Sequence, residues 1–166
     1  LTNDGALKRI LELPATGWLR TYRVRAFGKV TQDALDALKG GVTISGIRYG
    51  PIEALFDREQ GSNVWITVGI REGKNREVRN VMDHLGLKVN RLIRVSFGPF
   101  ELGNLRDGMV QEVETDELKA ALGEDVARAA GCDFTGPMVD HSVESRRPEA
   151  RGAERRTSED DRGDRH

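Results

Sequence analysis

The residues best suited to chemistry lie between Gly69 and Gly86, in the run G-I-R-E-G-K-N-R-E-V-R-N-V-M-D-H-L-G. Lys74, Arg76 and Arg79 crowd the start of an apolar stripe made of Val78, Val81, Met82 and Leu85. That stripe is spaced i, i+3, i+4 and i+7, which predicts a helix with Asn75 as its N-cap and Gly86 as its stop. Cations in a first turn oppose the helix dipole by about 0.3–1 kcal/mol each. Set beside free backbone N–H groups, they make a site for a phosphate or a carboxylate. A second reading stands level with it, a solvated basic helix start in which Arg79 pairs with Asp83 four residues on.

Other chemistries find little support. No Ser-His-Asp set, Walker loop or metal-spaced cluster occurs, and the glycines around Gly73 do not fit a dinucleotide fingerprint. The three histidines, His84, His141 and His166, are scattered, so the residues suggest no metal site. Cys132 is the single cysteine, which excludes a disulfide framework and makes a reduced, cytoplasmic setting the default. No apolar run approaches the eighteen residues that span a bilayer.

The elements that must position the basic cluster follow from patterning over 166 residues, 37% of them apolar and 32% charged. Asn3-Asp4-Gly5 turns into a short helix bearing Leu7, Ile10 and Leu11, closed by Pro14. Trp18 to Phe27 alternates as a strand, with Trp18, Arg20, Tyr22 and Val24 on one face and Leu19, Thr21, Arg23 and Arg25 on the other. Thr31 caps a helix carrying Leu35 and Leu38. Val42–Ile44 and Ile47–Tyr49 form a hairpin across Ser45-Gly46. A run from Ile52 to Phe56 leads into a polar turn, 57–63, and then the strand Val64–Ile70. After Gly86 a strand runs from Lys88 to Phe97, with strict alternation setting Val89, Arg91, Ile93, Val95 and Phe97 against Asn90, Leu92, Arg94 and Ser96. A short strand at Met109–Val113 and a short helix at Asp116–Leu122 end the pattern. This order predicts an α+β fold with hairpins and no βαβ repeat.

Charge is segregated although the formal net is only −1. Residues 1–111 carry a net of +5 and residues 112–140 a net of −6. Arg71 to Arg94 alone holds seven basic residues against three acidic ones, the mark of a local polyanion-binding face. The expected organisation is a domain over 1–120, an acidic linker over 121–140 and a disordered charged tail over 141–166, too poor in apolar side chains to form a core.

Five segments in order, L-T-N-D-G, R-T-Y-R-V-R, G-V-T-I-S-G, E-G-K-N-R-E-V-R-N-V-M and V-N-R-L-I-R-V-S-F-G-P-F-E-L-G-N-L, resemble bacterial ribosomal-RNA pseudouridine synthases of the RsuA type, in their large-subunit branch. The resemblance covers Leu1 to about Val113. It implies a mixed, mainly antiparallel sheet with a few flanking helices and a central RNA-binding cleft, and isomerisation of uridine in ribosomal RNA with no cofactor or metal. It implies too that Tyr22 stacks on the target base and that Arg79 pairs with a catalytic aspartate. From the residues alone Tyr22 reads as a strand aromatic in the core. Arg20, Lys74, Asn75, Arg76, Arg91 and Arg94 become candidate RNA contacts. A monomer binding ribosomal RNA and no membrane is the expected state. The aspartate itself belongs to an R-L-D motif about ten residues before L-T-N-D-G, which this sequence lacks. Asp4 belongs to the turn, with a turn or N-cap role. The chain is therefore expected to be a C-terminal part of such an enzyme, inactive alone. The alternative is a non-catalytic RNA-binding protein that keeps the fold.

Overall fold

β1 (Arg20–Phe27) is the strand to which the rest of the sheet is attached. The computed structural model describes residues 1–135, and the predicted charged tail lies outside the described residues. β1 pairs on one side with β5 (Asn63–Ile70) and on the other with β6 (Lys88–Phe97). β4 (Ile52–Gln60) extends the sheet beyond β5, and β7 (Phe100–Glu101) adds a short edge beyond β6. All of these pairings are antiparallel. The fold is α+β, as expected. The mixed character was expected of the sheet as a whole; no parallel pair occurs among the described residues.

One sheet face is apolar. Val24 and Ala26 of β1, Val64, Ile66, Val68 and Ile70 of β5, and Ile52 and Ala54 of β4 are buried there. Against them pack Leu35 of α2 (Gln32–Asp36), Leu38 of the following 3-10 turn, and Val78, Val81 and Met82 of α3 (Glu77–His84). Tyr49 of the hairpin β2 (Val42–Ile44) and β3 (Ile47–Tyr49) completes this core. A second cluster joins Leu7 of α1 (Gly5–Glu12) to Leu122 and Ala130 of α4 (Thr115–Ala130), with Trp18 packed against it.

The capping expectations hold at Asp4, whose carboxylate accepts from the N–H groups of Ala6 and Leu7 at 2.9 Å each. They hold too at Thr31, whose hydroxyl accepts from Ala34 N–H. Three expectations fail for physical reasons. β4 does not stop at Phe56; it continues to Gln60 through a bulge at Asp57, because backbone pairing to β5 and the packing of Arg58 near Trp65 stabilise a polar stretch that composition reads as a turn. Met109–Val113 finds no neighbouring strand and stays irregular, with Met109 and Val110 exposed. The last helix does not end at Leu122. It breaks at Gly123, whose φ of +70 suits glycine, and runs on to Ala130, into the stretch that composition marks as an acidic linker.

Candidate functional site

The strand β6 decides which basic residues share a surface. Strict alternation would put Arg91 with Val89 and Phe97, but the register slips twice, skipping Asn90 and Val95. Each bulge inserts one residue and reverses the facing of the residues after it. Arg94 therefore lies opposite Tyr22, on the apolar side of the sheet, while Arg91 lies opposite Arg25 on the other side. Strict alternation already sets the two arginines on different faces; the bulges decide which face each one takes.

Tyr22 is half-buried between Val68 of β5 and Arg94 of β6, packed against the main core. Arg94 is exposed, and its guanidinium carbon lies 5.0 Å from the centre of the Phe97 ring. Arg20, two residues before Tyr22, is only 5% exposed. Its guanidinium donates to the carbonyls of Trp18 (3.1 Å), Arg71 (2.8 Å) and Leu11 (3.5 Å), and it also lies 5.0 Å from the Phe97 ring centre. Arg20 thus faces main-chain carbonyls and braces the loop that leads into α3. The structure gives it a buttressing position where an exposed phosphate contact was expected.

That loop carries Lys74, Asn75 and Arg76, all exposed. Asn75 is not the N-cap. Arg76 takes that position with φ +54 and no side-chain cap bond, a left-handed conformation that costs a side-chain-bearing residue about 1–2 kcal/mol. The start of the helix is secured instead by Glu77, whose Oε2 accepts from Lys74 N–H at 3.0 Å. Glu72 accepts from Gly50 N–H at 2.6 Å and also from the Lys74 ammonium, tying the loop to the end of the β2–β3 hairpin. Burial raises the Glu77 carboxyl to about 7, and the nearby Glu72 carboxylate adds to the rise. Burial also works on Glu72, but the Gly50 N–H and Lys74 outweigh it and hold its carboxyl below the usual range. Sequence reasoning passed over both glutamates. The spacing of Glu77 three residues after Lys74, half of a capping box, was the available signal.

Arg79 is half-buried, and its Nη1 donates to the Val89 carbonyl of β6 at 3.3 Å. The predicted pair with Asp83 does not form among the described ion pairs. Arg79 and Tyr22 are fixed at different points along β6, near Val89 and Arg94, about 13 Å apart as counted by the four residues of β1 between their partners at about 3.3 Å each. No described contact joins the two side chains directly. Among the described residues no group of three His, Cys, Asp or Glu could hold a metal ion, and no helix is long and apolar enough to cross a membrane.

A protein of Rickettsia felis named an uncharacterized RNA pseudouridine synthase is 40% identical over 119 residues, which cover 72% of this chain and 52% of that protein. A ribosomal large subunit pseudouridine synthase B of Buchnera aphidicola is 36% identical over 121 residues, 71% of this chain and 47% of that protein. A solved pseudouridylate synthase superposes with a TM-score of 0.52 at 24% identity, over 60% of this chain and 43% of its own, a likeness of fold. No protein-family model matches. The chain spans about half the length of these curated relatives. By sequence, the chain is a homologue of the RNA pseudouridine synthases.

Proposed function

We propose that this chain is the part of a ribosomal-RNA pseudouridine synthase that grips the RNA and supports the reacting base. The observation that carries this reading is the 40% identity over 119 residues to a protein named an RNA pseudouridine synthase. Ribosomal RNA as the substrate rests on the name of the Buchnera relative. In the reaction the bond between uracil N1 and the sugar breaks, the uracil turns, and its carbon 5 rejoins the sugar. The proton leaves carbon 5 and N1 gains one, so no metal, cofactor or oxidant enters.

The roles are those that the sequence resemblance implies, and the positions of the residues support them. A target uridine must leave its stack at a cost of a few kcal/mol, which an aromatic platform and cationic contacts offset. Tyr22, held on one side by the core, is that platform. Arg94, directly across the ladder from it, holds an adjoining phosphate. Lys74 and Arg76, exposed ahead of α3, hold others, with Asn75 beside them. Arg79 pairs with the aspartate carboxylate. Its bond to the Val89 carbonyl uses one of five donors and leaves the others for that role.

The R-L-D motif that supplies the aspartate is not among the 166 residues, so this polypeptide alone is expected to make no pseudouridine. The test is pseudouridine formation on a ribosomal-RNA transcript, run with this chain and with a longer form that contains the motif. In the longer form, Arg79→Ala should lower the rate about a hundredfold or more by removing the partner of a closed-cleft carboxylate. Turnover by this chain would refute the account of the aspartate. A near-normal rate in the Arg79→Ala form would remove Arg79 from the mechanism.

A further inference from the structure

The face of the sheet opposite Tyr22 carries a row of cations that have no part in the roles given to Tyr22, Arg79 and the loop before α3. By register, Arg25 stands between Trp65 of β5 and Arg91 of β6, and Arg23 stands between Thr67 and Ile93. Arg58 of β4 lies opposite Trp65 from the other side. Four strands at about 4.8 Å spacing place these four guanidinium groups on a surface about 14 Å across. Phe27 and Leu55 on the same face are 54% and 59% exposed, so the surface is open to solvent.

Three observations say that this face is prepared for an anion. Arg25 and Arg91 are directly opposed across the ladder, a like-charge placement that destabilises a sheet. None of the ion pairs among the described residues involves Arg23, Arg25, Arg58 or Arg91. The Arg25 Nε is buried with no hydrogen-bond partner, an unmet donor inside the row. The carboxylates on this face are Asp57, which accepts from the Thr67 hydroxyl, and, at the far end, Glu53 opposite Gly69 and Glu101 opposite Ser96.

Trp65 gives the row its second property. The guanidinium carbons of Arg23 and Arg58 lie 5.2 and 5.8 Å from the centre of its ring. Arginines gathered on an aromatic ring present their planes to solvent, and unpaired bases stack on such planes. An acidic protein would meet the charge but would leave these planar groups without a matching partner. A single-stranded or looped RNA satisfies both, its phosphates meeting Arg25 and Arg91 and its bases meeting Arg23 and Arg58.

We propose that this open sheet face, centred on Arg25 and Trp65, is a second RNA-binding surface, separate from the loop before α3. The proposal rests on the reading of the chain as an RNA-acting protein. It adds that the RNA reaches both faces of the sheet, so that flanking single-stranded segments are held away from the reacting uridine.

The test is binding of a ribosomal-RNA transcript and of an oligouridine to the full 166-residue chain across about 50 to 200 mM salt. Each lost phosphate contact lowers the slope of log K against log salt by about 0.7 for single strands. Arg25→Gln with Arg91→Gln should therefore lower it by about 1.4. Trp65→Leu should weaken oligouridine binding about fivefold or more while keeping the slope near that of the natural chain. Lys74→Gln with Arg76→Gln should lower the slope by its own amount, adding to the first. Urea unfolding checks that the paired arginine variant is folded, and relief of the like-charge pair predicts an unchanged or raised midpoint. If the slope responds only to the Lys74 and Arg76 changes, the second surface is refuted while the functional reading stands. If the natural chain binds neither RNA in a salt-dependent way, both fall together.

Discussion

Replacing Glu77 by glutamine probes how the loop before α3 is held. Glu77 is 2% exposed, its Oε2 accepts from Lys74 N–H, and its Oε1 has no partner. Burial and the adjacent Glu72 carry its carboxyl from 4.5 to about 7. Because the folded state holds this proton more tightly than the unfolded chain does, the associated stability is fully present below about pH 4.5. It is lost as pH rises through about 7. At about 1.4 kcal/mol per unit, the shift corresponds to at most about 3.5 kcal/mol, and to about 2–3 kcal/mol because Glu72 shares the titration. Glutamine keeps an acceptor for Lys74 N–H, cannot ionise and can donate to Glu72. The expected result is that Glu77→Gln exceeds the natural chain by less than about 1 kcal/mol at pH 5 and by about 2–3 kcal/mol at pH 8. Urea unfolding followed by tryptophan fluorescence at pH 5, 6, 7 and 8 measures this, and the difference between the two proteins isolates Glu77. Glu72 works in the opposite sense, its lowered carboxyl contributing stability that fades as pH falls below the ordinary carboxylate range. A difference that does not change with pH, or a variant weaker at pH 8, would refute the account of a buried acid that is neutral in the folded chain.

Two further perturbations test the backbone around the same region. Gly98 has φ +55, and a Cβ there would lie 2.5–2.6 Å from the Trp18 ring, so Gly98→Ala should cost about 2 kcal/mol or more, read as a lower urea midpoint with altered tryptophan emission. An unchanged midpoint would mean that Trp18 moves freely, against its place beside Phe97 and Phe100. Arg76→Gly should act in two directions at once. It relieves the left-handed conformation at φ +54, raising stability by about 0.5–1 kcal/mol, and it removes a cation, lowering the salt slope of RNA binding by about 0.7. Higher stability with an undiminished slope would take Arg76 out of the RNA contacts.

Much of this fold was legible because side-chain periodicity and turn chemistry agree locally. The stripe from Val78 to Leu85, the Ser45-Gly46 hairpin and the caps at Asp4 and Thr31 each depend on a few neighbouring residues, and each formed as the sequence suggested. What escaped depends on residues far apart in sequence. The polar end of β4 is a strand because β5 supplies its ladder, and the second half of α4 has a place because Leu122 and Ala130 meet Leu7 of α1. The site shows the same division more sharply. A basic count from Arg71 to Arg94 treats seven cations as one cluster, but bulges at Asn90 and Val95 are set by pairing to β1, and no local pattern announces them. They send Arg91 to the open face and leave Arg94 beside Tyr22. Arg20 escaped for a related reason: its guanidinium is satisfied by carbonyls of Leu11, Trp18 and Arg71, which only the folded chain brings together. The cations of this protein thus sort into a buttress, a loop ahead of α3, a neighbour of Tyr22 and an opposed pair across the sheet, the last two set by the register of β6. That sorting makes the roles separable by mutation, because a change on one face should leave the salt slope contributed by the other intact.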